Sequence, residues 1–127
     1  MRHWITTPSG LQFYDYRLSD GAPAQIGQLI TVHYVMAKYS EGLREDLRSD
    51  NEAWLDNSWI REAPISFRLG AGEVLKGIDE GLVQMRIAAY RHLRIPPHLA
   101  FGEKGVPNLI PPNTELYCEV YLVSITD

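Results

Sequence analysis

The chain has 127 residues, 45% of them hydrophobic, with 12 basic and 16 acidic side chains and a formal net charge of −4. That length fits a single domain over residues 1–127 with an ordinary apolar core, and it excludes a multidomain machine. The acidic balance has the wrong sign for broad phosphate neutralisation, which argues against nucleic acid as a partner, and the lone Cys118 can form neither an internal disulfide nor a thiolate metal cluster.

The N-terminal Met1-Arg2-His3-Trp4 runs into Thr, Pro, Ser and Gly instead of an apolar segment, so no secretory signal is expected, and a reducing, cytoplasmic setting is. Leu11 to Leu18 is aromatic and alternates loosely, as suits an edge strand, and Ser19 to Pro23 ends it with turn residues. Leu29 to Met36 reads as an interior strand with His33 and Tyr34 on opposite faces. Its apolar stretch is far shorter than the roughly 20 residues that cross a membrane, so no membrane contact is expected. Lys38 to Ala53 is charged and lacks a sustained apolar stripe, which predicts a surface excursion with about one helical turn.

Ile65 to Leu69 and Tyr90 to Ile95 give two short strands, the second with Tyr90, His92 and Arg94 on a wet face. Between them Leu75, Ile78, Leu82 and Met85 share one helical face, with Lys76 and Glu80 as an outer i,i+4 pair. Gly77 and Gly81 limit this helix to about two or three turns. Pro96 to Pro112 holds five of the eight prolines and must be a packed loop. Glu115 to Ile125 is the longest strand, with Leu116, Cys118, Val120 and Leu122 facing the core and Glu115, Tyr117, Glu119 and Tyr121 facing out. Five strands and one short helix predict an α+β domain, a twisted antiparallel sheet wrapped around the helix. His33, His92 and His98 lack metal-ligand spacing, and Arg86, Arg91 and Arg94 read as a solvated face.

Several segments together resemble one family. TPSGLQ at Thr6 to Gln12, VHY at Val32 to Tyr34, FRLGAGEVLKGIDEGLVQM at Phe67 to Met85 and RIPPHLAFGEKGVPNLIPPNTELYCEV at Arg94 to Val120 are similar in identity, order and spacing to the FKBP-type peptidyl-prolyl cis-trans isomerases. The resemblance runs from Thr6 to Ile125, leaving out the excursion, and implies an isomerase of X–Pro bonds that acts in protein folding without cofactor or metal. It implies proline-containing peptides or unfolded proteins as partners, tacrolimus- or rapamycin-like ligands, and a monomer.

By the same resemblance Tyr34, Asp56 and Phe101 take the catalytic positions. Leu55, Ile65, Val74, Leu75, Ile78, Ile110 and Cys118 form the apolar substrate wall, and the Leu75 N–H donates to a ligand carbonyl. Read without the family, Tyr34 is an ordinary strand aromatic, Asp56 a turn aspartate and the apolar positions plain core. The sequence departs from the family pattern at Ile78, where a tryptophan is usual, at Phe101 in place of a tyrosine, and at Leu55 and Cys118 in place of aromatics. These changes imply a smaller floor and one hydrogen bond fewer to a ligand. They keep a second reading open, a proline-binding module or holdase on the same fold with little turnover. Cys118 paired with a histidine as a nucleophile is the weaker reading, since a strand residue on the dry face has its thiol suppressed by burial.

Overall fold

A computed structural model describes residues 4–40 and 54–126. Its strands, in chain order, are β1 (Ile5–Thr6), β2 (Gln12–Arg17), β3 (Leu29–Lys38), β4 (Trp54–Asn57), β5 (Ile65–Arg68), β6 (Tyr90–Ile95) and β7 (Leu116–Thr126). Two short helices, α1 (Ser58–Arg61) and α2 (Lys76–Gly81), and a 3-10 turn at Pro97–Leu99 complete the described residues. All strand pairs are antiparallel in the order β1-β2-β6-β7-β3-β4, and β5 pairs with the first half of β3. The predicted α+β sheet around a short helix is therefore present, with β1, β4 and α1 added to the expected elements. The excursion is described only for Lys38, which ends β3, and for the next two residues; its remainder, 41–53, lies outside the described residues.

Helix α2 is shorter than the apolar stripe suggests. Only six residues are helical, with Leu75 before them and Leu82 after, while Met85 is buried from the turn beyond. The two glycines explain both the brevity and the position. A β-carbon on Gly77 would lie 2.4 Å from the Ile95 side chain and one on Gly81 2.8 Å from Leu93, so glycine lets α2 sit directly on β6. Lys76 and Glu80 do not pair as expected. The Glu80 carboxylate instead accepts from the Thr7 hydroxyl at 2.7 Å and from Ser9 at 2.7 and 2.8 Å, tying the N-terminal turn to the helix.

The concave face holds the main core, with Leu11, Ile30, Val32, Leu82, Leu93, Ile95, Leu116 and Leu122 essentially inaccessible. The convex face corrects the expectation of a wet surface. Val35, Ala37 and Tyr117 are buried there beneath Trp4, Tyr39, Trp54 and Trp59, and His92 and Glu119 are buried as well. His92 Nδ1 lies 3.1 Å from the Tyr14 hydroxyl and 2.8 Å from that of Tyr117, with Nε2 3.3 Å from Glu119 Oε2. Strand alternation assigns side chains to faces, but large aromatics from β4, α1 and the residues just before β1 and just after β3 decide that this second face is dry.

Of the three arginines expected on a solvated face, Arg86 is exposed, while Arg91 and Arg94 are not free on the surface. Arg91 is buried, paired with Asp15 at 2.8 Å, and donates to the carbonyls of Gly81 at 2.9 Å and Val83 at 3.3 Å, where the end of α2 leaves acceptors free. Arg94 pairs with Glu115 at 2.7 Å.

Candidate active site

The site is built where β3 changes partner. Its first half pairs with β5 and its second with β4, so the sheet opens beside Tyr34. Ser58, fully buried at the start of α1, fills that opening: its Oγ accepts from the Tyr34 N–H at 2.7 Å and donates to the Tyr34 carbonyl at 3.3 Å. The same hydroxyl meets His33 Nδ1 at 2.8 Å, so His33 has its neighbour, and its ring stacks on Trp59 at 4.0 Å between centroids.

Asn57 caps the turn, its side-chain oxygen accepting from Trp59 N at 2.9 Å and Ile60 N at 3.3 Å. Asn57→Ala is expected to cost about 1 kcal/mol of stability, read as a lower urea midpoint. An unmoved midpoint would show that Ser58 alone holds the turn.

This turn brings three polar side chains together. The Tyr34 hydroxyl donates to Asp56 Oδ2, Arg61 Nε donates to Asp56 Oδ1 at 3.0 Å, and Arg61 Nη2 donates to the Tyr34 oxygen at 3.0 Å. The Asp56 Oδ1 also accepts from the Asn57 N–H at 2.9 Å. Burial, reinforced by the bond to Asp56 and its charge, pushes the Tyr34 phenol up to about 12, so it remains a donor throughout the neutral range. Asp56 is a strand residue opposite Met36, not the turn aspartate of the bare sequence reading. Arg61 was missed because nothing local marks an arginine five residues after the aspartate; only the capped turn returns it.

Beside this cluster lies a cavity of about 360 Å³. Tyr34, Asp56, Leu55, Ile65, Val74, Leu75, Ile78, Phe101 and Ile110 all line it, as do the unforeseen Val32, Met36, Leu109 and Val120. Met36 was legible, since it stands two residues after Tyr34 on the same face of β3.

Cys118 does not line it. Opposite Met36 on one side and Leu93 on the other, it is fully buried in the core, and Met36 and Val120 take the lining positions. Burial pushes its thiol up to about 12, which leaves almost no thiolate at neutral pH and removes it as a nucleophile. No cluster of three or more His, Cys, Asp or Glu side chains suited to a metal occurs among the described residues. No helix among them is long and apolar enough to cross a membrane.

The profile of the FKBP-type peptidyl-prolyl cis-trans isomerases matches residues 21–123. An FK506-binding protein of Streptomyces anulatus is 40% identical over 98 residues, covering 77% of this chain and 71% of that protein. A peptidyl-prolyl cis-trans isomerase of Saccharomyces cerevisiae is 38% identical over 102 residues, covering 80% of this chain and 68% of that one. Among solved structures, AtFKBP13 superposes with a TM-score of 0.80 at 34% identity, covering 98% of this chain and 100% of its own. FkpA from Escherichia coli gives 0.77 at 30% identity, and there the match covers 97% of this chain but 51% of the other. A sequence match through most of the chain and a shared three-dimensional fold at that identity have one meaning: this chain belongs to the FKBP-type peptidyl-prolyl cis-trans isomerase family.

Proposed function

We propose that the cavity takes in a proline and its preceding peptide bond, from peptides or unfolded proteins, and accelerates cis–trans rotation about that bond in protein folding. The observation that carries this reading is an apolar cavity of about 360 Å³ whose polar rim is the Tyr34–Asp56–Arg61 cluster. The barrier to rotation, ~18–20 kcal/mol, comes from amide resonance. The planar amide is charge-separated and well solvated in water; among Val32, Met36, Ile78 and Phe101 it loses that solvation, while the twisted amide, with less charge separation, loses less. No nucleophile or cofactor enters such a step.

The Leu75 N–H, just before α2, has no acceptor among the described residues, which supports its assignment as the donor that aligns a substrate or drug carbonyl. Tacrolimus- and rapamycin-like ligands are expected at the same wall. The protein is taken to work as a cytoplasmic, monomeric, single-domain isomerase with chaperone-like action on unfolded chains, away from nucleic acid and membranes.

Phe101 lacks the phenol that the family pattern carries. Phe101→Tyr is expected to tighten tacrolimus binding up to about tenfold, the value of one regained hydrogen bond, measured by calorimetry. Unchanged affinity would place the ligand's carbonyl away from residue 101.

The reading is tested by following exchange between the cis and trans forms of a short proline peptide by NMR at several protein concentrations. Acceleration proportional to protein is expected; peptide binding with no acceleration would overturn the isomerase reading.

A further inference from the structure

The cavity continues past Ile110. Leu109 and Ile110 line both it and a second groove of about 340 Å³, whose other walls include Val106, Pro107 and the two charged residues Lys38 and Lys104. Strand alternation puts Tyr34, Met36 and Lys38 on one face of β3, so Lys38 stands about 7 Å beyond Met36, just outside the cavity. Lys104 lines the same groove from a different segment, three residues after Phe101, in a loop closed by hydrogen bonds. Gly105 N donates to the Phe101 carbonyl at 3.1 Å, and Val106 and Ile110 exchange two bonds of 2.8 Å.

Both lysines are exposed, and neither has an ion pair or hydrogen bond among the described residues. The arginines nearest in sequence to the functional elements differ: Arg61, Arg91 and Arg94 each hold a carboxylate. Among the described residues no acidic side chain lines the groove, and the acidic residue they place on the cavity, Asp56, is already held by Arg61 and Tyr34. Among the described residues, two positive charges without a carboxylate partner thus border the proline site of a chain whose net charge is −4.

From this arrangement we infer a specificity site, resting on the isomerase reading above: the groove between Lys38 and Lys104 receives the carboxylate of an aspartate or glutamate about two residues from the substrate proline. An extended peptide advances about 3.3 Å per residue, so with its proline in the cavity its second neighbour reaches Lys38. The prolines and Leu109 support the methylene stem, and the ammonium groups meet the carboxylate at the solvent edge. Charge at such an edge acts on affinity and encounter rate and is weakened by salt.

The test uses peptides with one proline and Glu, Gln or Lys placed two residues before or two residues after it. They are assayed against the intact chain and against the Lys38→Gln, Lys104→Gln double variant, so that any competition from the acidic residues between 41 and 53 is contained in the measurement. At low ionic strength kcat/KM for the Glu peptide is expected to exceed that for Gln by about fivefold at one of the two positions, with Lys below both. The Glu-to-Gln ratio should fall to about one in the double variant and approach one at about 0.5 M salt. Equal rates for Glu and Gln at both positions, or a preference that persists in the double variant, would overturn the proposal. If the Gln peptide is not accelerated at all, it is the isomerase reading that fails, and the Glu–Gln comparison made by binding anisotropy then decides the groove alone.

Discussion

Asp56→Ala is expected to lower kcat/KM for a proline peptide by about ten- to hundredfold while leaving the fold intact. Such a loss corresponds to about 1.4–2.8 kcal/mol of transition-state stabilisation, since each 1.4 kcal/mol is a factor of ten in rate. In the proposed reaction the carboxylate acts on the difference between planar and twisted amide. A planar amide carries its negative end on the carbonyl oxygen, and a carboxylate held beside that oxygen raises its energy; rotation breaks the resonance and relieves the repulsion. Stability should fall by only about 1–2 kcal/mol, the bonds from Tyr34 and Asn57 included. The Asp56 and Arg61 side chains are 39% and 44% exposed, so losing their pair costs at most about 1 kcal/mol. Tyr34→Phe removes one of the groups that orient the carboxylate and should cost less than removing the carboxylate itself. The measurement pairs NMR exchange rates with urea unfolding for both variants. Wild-type turnover in both would show that the polar rim takes no part in the reaction.

Gly105→Ala should be the most damaging single methyl group in the site region, with an expected loss of about 2–5 kcal/mol from two causes. Gly105 has a φ of 57°, which costs an L-residue roughly 1–2 kcal/mol. Its β-carbon would also lie 2.1 Å from the Ile110 carbonyl oxygen and 2.7 Å from that of Pro111, both backbone atoms that cannot rotate away, adding about 1–3 kcal/mol of overpacking. Function should suffer with stability. The Ile110 oxygen accepts the Val106 N–H at 2.8 Å, and the Ile110 side chain lines the cavity, so displacing that carbonyl opens the loop and moves the wall. Gly102→Ala separates the two causes. Its φ is also positive, at 63°, but nothing lies within 4 Å of the added carbon, so only the conformational cost remains. Urea midpoints and KM for the pair are the readout: equal losses in the two variants would mean that the contact with Ile110 contributes nothing.

Five strands, β2, β3, β5, β6 and β7, can be placed from the sequence to within two residues at each end, because the residue types and alternation of an extended backbone need no knowledge of neighbours. The helix was legible in place but not in length, since the apolar stripe from Leu75 to Met85 records burial, and a buried turn after Gly81 leaves the same record as helix. The cavity positions on β3, α2 and the proline-rich loop could be named by resemblance, because their order and spacing survive in the linear motifs. Cys118 was misplaced for a reason of register. Whether a strand residue on the concave face reaches the cavity or lies under it depends on what stands opposite, and Met36 covers it. Arg61, the dry convex face under Trp4, Trp54 and Trp59, and the Lys38–Lys104 groove were invisible for a related reason. Each joins elements far apart in the chain, or turns on a four-residue capped turn whose direction is set by Ser58 binding the backbone of β3. Local periodicity determines which face a side chain takes; tertiary packing alone decides what meets it there.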